Sequence, residues 1–536
     1  MVEPIRNAVN TDHWSVIGLR KGAFWSLVRF IVVTSTGLPV TILLVRLLSH
    51  SSYGIYAAST ATSSIISTTC SIGLGAVISR AAASAYQNNA FEDVRQVFSE
   101  GQRIATVLSL VTLLVAGATI TLEGHTANKL YVLPIAILTL PVIGNPYQLV
   151  AAGIMSGIGA PRRIELAVIA SSMIMLIGVI AMATTKADAI FAVSIAAMSQ
   201  LAAIAINLLG ATKAIREKCP IVYPLPGTSE VTQGRRDPIL RHKMLLTIVP
   251  SWGTSLNYMA IAMLDVTVLS HVRTPGQVGV YAPLSSMVNT IWIIGSLPAT
   301  YLLPAAVVGG LDRGAVSRDQ LFSTVTRLGL ILAGAPLCLL ITNPAGLLST
   351  VFGPGFGPDY APAYILAAGL LVHVITGPNS DFLFASEHLR SIVYRTVVVL
   401  MISIGLCFWL IPTYGLVGAA ISTTIPLVVM NLWNTVALIV YEHLHPFGHG
   451  GGAVAAVLSV ALIGIVVCTT SFGIRWNMVS TIMATVLSMV VVVTIYWLTR
   501  SDPEFALLVP EKLRSRATQW RGLTPQSVEL TMEEPG

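Results

Sequence analysis

Charge is what this chain has least of. Only 10% of its 536 residues are Asp, Glu, Lys or Arg, against roughly a quarter in a soluble globular domain, so an ordinary water-soluble fold with charged helix faces is excluded. Cysteine is scarce too: Cys70, Cys219, Cys338, Cys407 and Cys468 are too few and too scattered for a disulfide scaffold, and read as unpaired thiols facing lipid or core. Nucleotide-binding fingerprints are missing. The run Gly353-Pro354-Gly355-Phe356-Gly357 has neither a lysine nor a helix pattern behind it and reads as an external turn. His443, His445 and His449 come without cysteines or an acidic cluster, so neither a metal site nor a cofactor is expected. Large outer loops are absent as well; apart from the stretch around 344 to 361 they run under about ten residues, leaving a membrane glycosyltransferase, polymerase or ligase, the weakest of the competing readings, little room for an external active site. The sequence reads as that of a non-enzyme.

What is present is apolar surface. Hydrophobic residues make up 54% of the chain, and runs of about 20 follow one another with short polar breaks, the mark of a polytopic all-α membrane protein. Fourteen spans are expected, at about 22–45, 53–78, 103–122, 130–155, 164–184, 187–212, 244–270, 278–305, 325–343, 361–386, 392–411, 414–440, 452–471 and 477–499. The first is too long for a signal-peptide core and reads as a retained span. An even number puts both ends on one side. Of the 31 Lys and Arg, 25 fall on the side of the termini, 5 on the other, and Arg29 within span 1; this bias places both termini in the cytoplasm of a cell-membrane protein. It also accounts for the net charge of +7 without nucleic-acid binding.

The chain is written twice. Leu48-Ser49-His50 runs into Tyr53-Gly54-Ile55-Tyr56-Ala57, and Leu269-Ser270-His271 runs into Val278-Gly279-Val280-Tyr281-Ala282. A shift of 225 carries Tyr56, Thr60, Ser64, Ser67 and Ser71 onto Tyr281, Ser285, Asn289, Trp292 and Ser296. In both copies these fall on one helix face. Two related halves follow: an N-terminal arm to residue 21, an N-lobe of spans 1–6 (22–212), a Pro-rich cytoplasmic linker (213–243), a C-lobe of spans 7–12 (244–440), spans 13–14 (441–499) and a cytoplasmic tail (500–536). Because six is even, the halves cross the membrane in the same sense, about an axis along the membrane normal. Residues 89–103, with Phe91, Val94 and Phe98 on one face, read as a short helix lying in the cytoplasmic interface.

Ionisable groups inside a bilayer are expensive and point to cavities. Arg29, roughly 10 Å into span 1 at helical rise, is read as a fixed positive charge at the inner mouth of a cavity, against the plainer reading of snorkelling to the interface. Asp265 in span 7 and His373 in span 10 are candidates for binding a coupling H+ or Na+, against an interfacial carboxylate and a packing histidine. The duplicated stripe, Tyr56, Thr60, Ser64 and Ser67 with Tyr281, Ser285, Asn289 and Trp292, suits hydrogen bonding to sugars in a solvated cavity, the aromatic rings stacking on sugar faces. Helix packing by small hydroxyl residues is the bland alternative.

Val45-Arg46-Leu47-Leu48 ahead of Tyr53-Gly54-Ile55-Tyr56, Asp265 ahead of Val278-Gly279-Val280-Tyr281, Val351-Phe352-Gly353-Pro354 before span 10, and Tyr414-Gly415-Leu416-Val417-Gly418-Ala419-Ala420 opening span 12 give the chain a resemblance over most of 20–440. It resembles a Wzx-type polysaccharide or lipid-linked oligosaccharide flippase of the multidrug/oligosaccharidyl-lipid/polysaccharide (MOP) superfamily, related to MurJ and MATE transporters. The resemblance implies a V-shaped transporter of two six-helix lobes with two extra C-terminal helices. Its cavity would be lined by spans 1, 2, 7 and 8, with Arg29 at the basic position and Arg46 at the rim. It implies alternating access that moves a polyprenyl-pyrophosphate-linked glycan to the outer leaflet, with membrane lipids, a coupling ion, and a glycan polymerase or glycosyltransferases as partners. A single intramembrane arginine disfavours the peptidoglycan precursor as cargo. A cation-coupled multidrug exporter of the same superfamily is the competing expectation.

Overall fold

The computed structural model of the chain describes residues 16–71, 73–125, 129–185, 188–219, 252–253, 255–309, 318–353, 355–356, 361–384 and 389–444. Most of the expected linker, spans 13 and 14 and the tail lie outside the described residues. Every described element is helical, with no strand. The helices are α1 (Val16–Leu47), α2 (His50–Ser71), α3 (Leu74–Gln87), α4 (Phe91–His125), α5 (Val132–Gly157), α6 (Pro161–Met182), α7 (Ala189–Lys218), α8 (Ser255–Val272), α9 (Pro275–Gly309), α10 (Arg318–Thr342), α11 (Pro344–Phe352), α12 (Ala361–Thr376), α13 (Asn379–Phe384), α14 (Leu389–Tyr414) and α15 (Leu416–Glu442). Ten are long and apolar enough to cross a membrane, and the pair α2–α3, bent by 42°, forms an eleventh candidate. The protein is a multi-pass membrane protein.

Two expected spans are broken, each at a glycine. Between α2 and α3 stands Gly73 at φ 65°, and Gly377 between α12 and α13 at φ 70°, a left-handed conformation that glycine adopts without the Cβ penalty. Pro378 then withholds its N–H from the ladder, so α12 is left a short apolar helix of 16 residues. At the break Gly377 N donates to His373 O at 3.1 Å and Asn379 N to Gly377 O at 2.8 Å, and Asn379 Nδ2 ties α13 to α15 by donating to Asn431 O at 2.9 Å. The expected interfacial helix at 89–103 is corrected: α4 is one 35-residue helix. Val94 and Val97 are buried against α3, α5 and α7, because the protein interior, rather than a headgroup layer, covers that apolar face.

The packing repeats as the sequence does. α1 lies on α6, α5 on α7, α6 on α7, and α3 and α4 on α5. In the second half α8 lies on α14, α12 on α15, α14 on α15, and α9 and α10 on α12. One apolar core joins the halves, running over Val40 to Ala61 and Val266 to Ile291. Beyond Ala61 and Ile291 the cores separate into one made only of residues 74–219 and one made only of 299–444. The halves are fused at the end that carries the two Leu-Ser-His turns, the hairpin end, and diverge toward the other, the linker end. There Trp252 Nε1 still donates to Thr69 O across the gap at 3.0 Å.

Candidate functional site: a cleft sealed at the hairpin end

The seal follows the 225-residue offset. A Cβ on Gly54 would run into the carbonyl of Pro275, and one on Gly279 into the carbonyl of His50; 54 and 279, like 50 and 275, are equivalent positions. Glycine is needed at both because the backbones of α2 and α9 approach closer than any side chain permits, as at small-residue interfaces between membrane helices. Around this contact the side chains cross over. His50 packs edge-on against Phe356 with centroids 4.7 Å apart, while His271 Nε2 meets Glu123 Oε1 at 2.7 Å. Each Leu-Ser-His histidine therefore reaches the connection between the third and fourth spans of the opposite half. Arg46 adds a clasp, donating through Nε to Val351 O at 3.0 Å and through Nη2 to Thr350 O at 2.6 Å, where α11 leaves carbonyls unmatched.

Just beyond the seal, the second half presents an aromatic wall. Trp292 of α9 stands between Tyr258 of α8, centroids 5.1 Å apart, and His373 of α12, also 5.1 Å. His373 Nδ1 lies 3.0 Å from Asn431 Oδ1 and Nε2 3.4 Å from Ser296 Oγ. Asn431 spends its Nδ2 on Leu427 O at 2.8 Å, so its oxygen accepts the Nδ1 proton and the ring is held in orientation. One turn earlier on α9, the carbonyl oxygen of Asn289 is buried with no hydrogen-bond partner among the described residues.

Asp265 is fully buried in the second half, immediately after a five-residue π-helical turn at Ala260–Leu264, a feature that tends to mark functional positions. Tyr281 Oη donates to its Oδ2 at 2.6 Å, Thr423 Oγ1 donates to the same oxygen at 2.9 Å, and Val266 N donates to Oδ1 at 2.7 Å. The carboxylate accepts from neutral donors throughout. Arg29 lies at helical spacing from the buried Thr36, Val40 and Leu44 of α1. Its Nε meets Glu165 Oε2 of α6 at 3.0 Å, with the arginine side chain 37% exposed and the glutamate 8%.

The expected site residues therefore divide. Trp292, His373 and Asn289 gather where α9 meets α12, and Tyr56 and Ser64 on α2 and Ser285 on α9 are half-buried. Tyr281 turns its hydroxyl to Asp265. Thr60 Oγ1 donates back to Tyr56 O and Ala57 O at 3.0 and 2.9 Å, and Ser67 receives Asn145 Nδ2 of its own half at 2.7 Å, so both hydroxyls are spent on packing. Sequence reasoning passed over Tyr258, Asn431, Thr423, Glu123 and Glu165. Glu165 was open to the rule that singled out Arg29, an ionisable group inside a span; the others carry no signal until the helices are assembled.

No known protein-family model matches the chain, and no curated protein matches its sequence. Solved structures do match its architecture. A lipid II flippase, MurJ, in an inward closed conformation superimposes with a TM-score of 0.62 at 12% identity, covering 89% of this chain and 99% of that one. The fold is that of MurJ. Also similar are a multidrug resistance MATE family transporter of the MOP superfamily in an outward-facing conformation (TM-score 0.49, 15% identity, 80% of this chain and 97% of that one) and a MOP superfamily transporter from Pyrococcus furiosus (0.48, 13%, 84% and 98%). The likeness to MurJ is one of fold, and every described element takes part as a helix.

Proposed function

We propose that this protein is a MOP-superfamily flippase, carrying a polyprenyl-pyrophosphate-linked oligosaccharide from the cytoplasmic to the outer leaflet of the cell membrane by alternating access. The termini and the 213–243 linker would be cytoplasmic, the two six-span lobes would rock about the hairpin seal, and spans 13 and 14 would stand outside the duplication. The hairpin end is then the outer gate and the cleft opens to the cytoplasm.

The observation that carries the proposal is the chemistry of the cleft: an aromatic and neutral hydrogen-bonding wall, Tyr258–Trp292–His373 with the unmatched Asn289 oxygen, and a single half-exposed guanidinium at Arg29. Stacking faces with neutral donors and acceptors suit sugar rings, and a guanidinium suits a phosphate. Tyr56, Ser64 and Ser285 would complete the glycan-facing surface, and Arg46, expected at the cavity rim, would clasp the outer gate instead. A carrier of cationic drugs calls for carboxylates in that wall, and Asp265 is instead sealed behind Tyr281. In this account Asp265 takes the coupling H+ or Na+. A glycan polymerase or glycosyltransferases acting on the same lipid-linked unit are the expected partners. Deleting the gene should stop surface glycan and accumulate the lipid-linked unit on the inner face, with drug resistance unchanged; intact surface glycan with lost drug efflux would favour the multidrug reading.

A further inference from the structure

We infer that the cavity beside the first Leu-Ser-His turn binds a phosphate group that bridges the two halves of the seal. The cavity, of about 480 Å³, falls within the roughly 300–1,000 Å³ range of small-molecule sites. Arg46, Ser49 and His50 line it from the first half, and Ser349, Phe352 and Phe356 from the second. The first three are exposed and the two phenylalanines buried, so its mouth is polar and its floor apolar. Its charge selects the ligand. Arg46 is engaged along one edge, where Nε and Nη2 donate to Val351 O and Thr350 O. Those carbonyls orient the guanidinium and, carrying no net charge, leave it positive. Nη1 and the second N–H of Nη2 have no acceptor among the described residues, and this end-on pair suits two oxygens of a phosphate. His50 packs on Phe356 and makes no hydrogen bond among the described residues, so it brings a free ring N–H. None of the residues lining the cavity is acidic.

The duplication supplies a comparison within the same molecule. At the second Leu-Ser-His turn a carboxylate stands opposite the histidine, with Glu123 Oε1 2.7 Å from His271 Nε2. At the first turn the corresponding connection of the opposite half sets Phe356 and Gly355 against His50, beside the cavity and with no acid lining it. One hairpin carries its anion in the chain, and the other is built to receive one. Because the lining comes from both halves, the ligand makes its full set of contacts only while the hairpins are together. It therefore favours the sealed conformation over the parted one. A ligand that binds only the sealed form raises the sealed-to-parted ratio about tenfold at ten times its dissociation constant. Free phosphate and the phosphoester of a lipid headgroup share the required chemistry, and the apolar floor accommodates the carbon skeleton of the latter.

Hydrogen exchange of the full-length protein in a phosphate-free maltoside detergent tests this, read at peptides covering 45–53 and 346–356. The probes are inorganic phosphate, against chloride at equal ionic strength, and dihexanoyl-phosphatidylglycerol, against dihexanoylglycerol. Exchange at both peptides should slow, by about tenfold at ten times the dissociation constant. A response to phosphate assigns the site to phosphate itself, and a response to the lipid alone assigns it to a headgroup; either upholds the inference. Ser349→Asp, which puts a carboxylate into the cavity and leaves Arg46 in place, should abolish the response. Ser349→Asn, of nearly the same size but uncharged, should keep it. Arg46→Gln should also abolish it, judged as the ratio with and without probe because this change loosens the clasp by itself. Arg29→Ala should respond as wild type does, since the cleft takes no part. No slowing with either probe, slowing confined to one peptide, or slowing that survives Ser349→Asp or Arg46→Gln would overturn the inference. So would a response lost in Ser349→Asn, which would make size rather than charge the cause, or one lost in Arg29→Ala, which would move the ligand to the cleft.

Discussion

Replacing Gly54 by Ala should push the protein out of its sealed state. The new methyl would collide with the Pro275 carbonyl, which is backbone and can yield only if α2 and α9 part. Overpacking of this kind costs about 1–3 kcal/mol, and it falls only on the conformation in which the hairpins touch. At about 1.4 kcal/mol per tenfold, the sealed-to-parted ratio drops by about 5- to 150-fold. The readout is a disulfide between Ser51→Cys and Gly276→Cys: a Cβ on Gly276 would lie 3.6 Å from Ser51 Oγ, which makes the two side chains direct neighbours across the seal. Cys468 is replaced by serine to keep the background small, since Cys70, Cys219, Cys338 and Cys407 are all buried. Cross-linking should be fast in the otherwise wild-type protein, slower with Gly54→Ala, and slower again when Gly279→Ala is added. An unchanged rate in folded Gly54→Ala protein would refute the inference that the glycine pair sets the closeness of the seal.

Three further outcomes are expected. His271→Gln should slow the same cross-link by about fivefold, the equivalent of about 1 kcal/mol for one polar contact, and adding Glu123→Gln should slow it by less than the sum of the two single changes, since both remove one interaction. Trp292→Ala should reduce glycan export by about 2- to 10-fold at unchanged protein level while Trp292→Phe keeps most of it, matching the worth of one aromatic contact; equal losses in both variants would remove stacking from the account. Asp265→Asn should fold, because the amide keeps an oxygen for Tyr281 or Thr423, yet its export should no longer respond to an imposed proton or sodium gradient.

The spans and the duplication were legible because both rest on local pattern: apolar runs set by bilayer thickness and a motif repeated at constant offset. The same offset located the seal, since Gly54 and Gly279 meet the carbonyls of each other's hairpins. What the pattern could not carry is partner choice across helices. Nothing in the spacing of Arg29 says that Glu165, on a helix four spans later, backs it, or that His373 is tied by Asn431 into the wall beside Trp292. The stripe shows the limit most clearly. Its two copies share a helical face, yet Ser67 turns to Asn145 inside its own half while the matching Trp292 stands at the cleft, because identical spacing is packed against non-identical neighbours.

The most direct test of the central claim is reconstitution into liposomes that contain a polyprenyl-pyrophosphate-linked oligosaccharide, with its transbilayer movement followed by a membrane-impermeant glycosidase. In protein-free vesicles about half of the glycan should stay protected. With the protein, that protected half should become accessible, and Arg29→Ala should abolish the effect. A protected half that persists in the presence of folded wild-type protein would contradict the account.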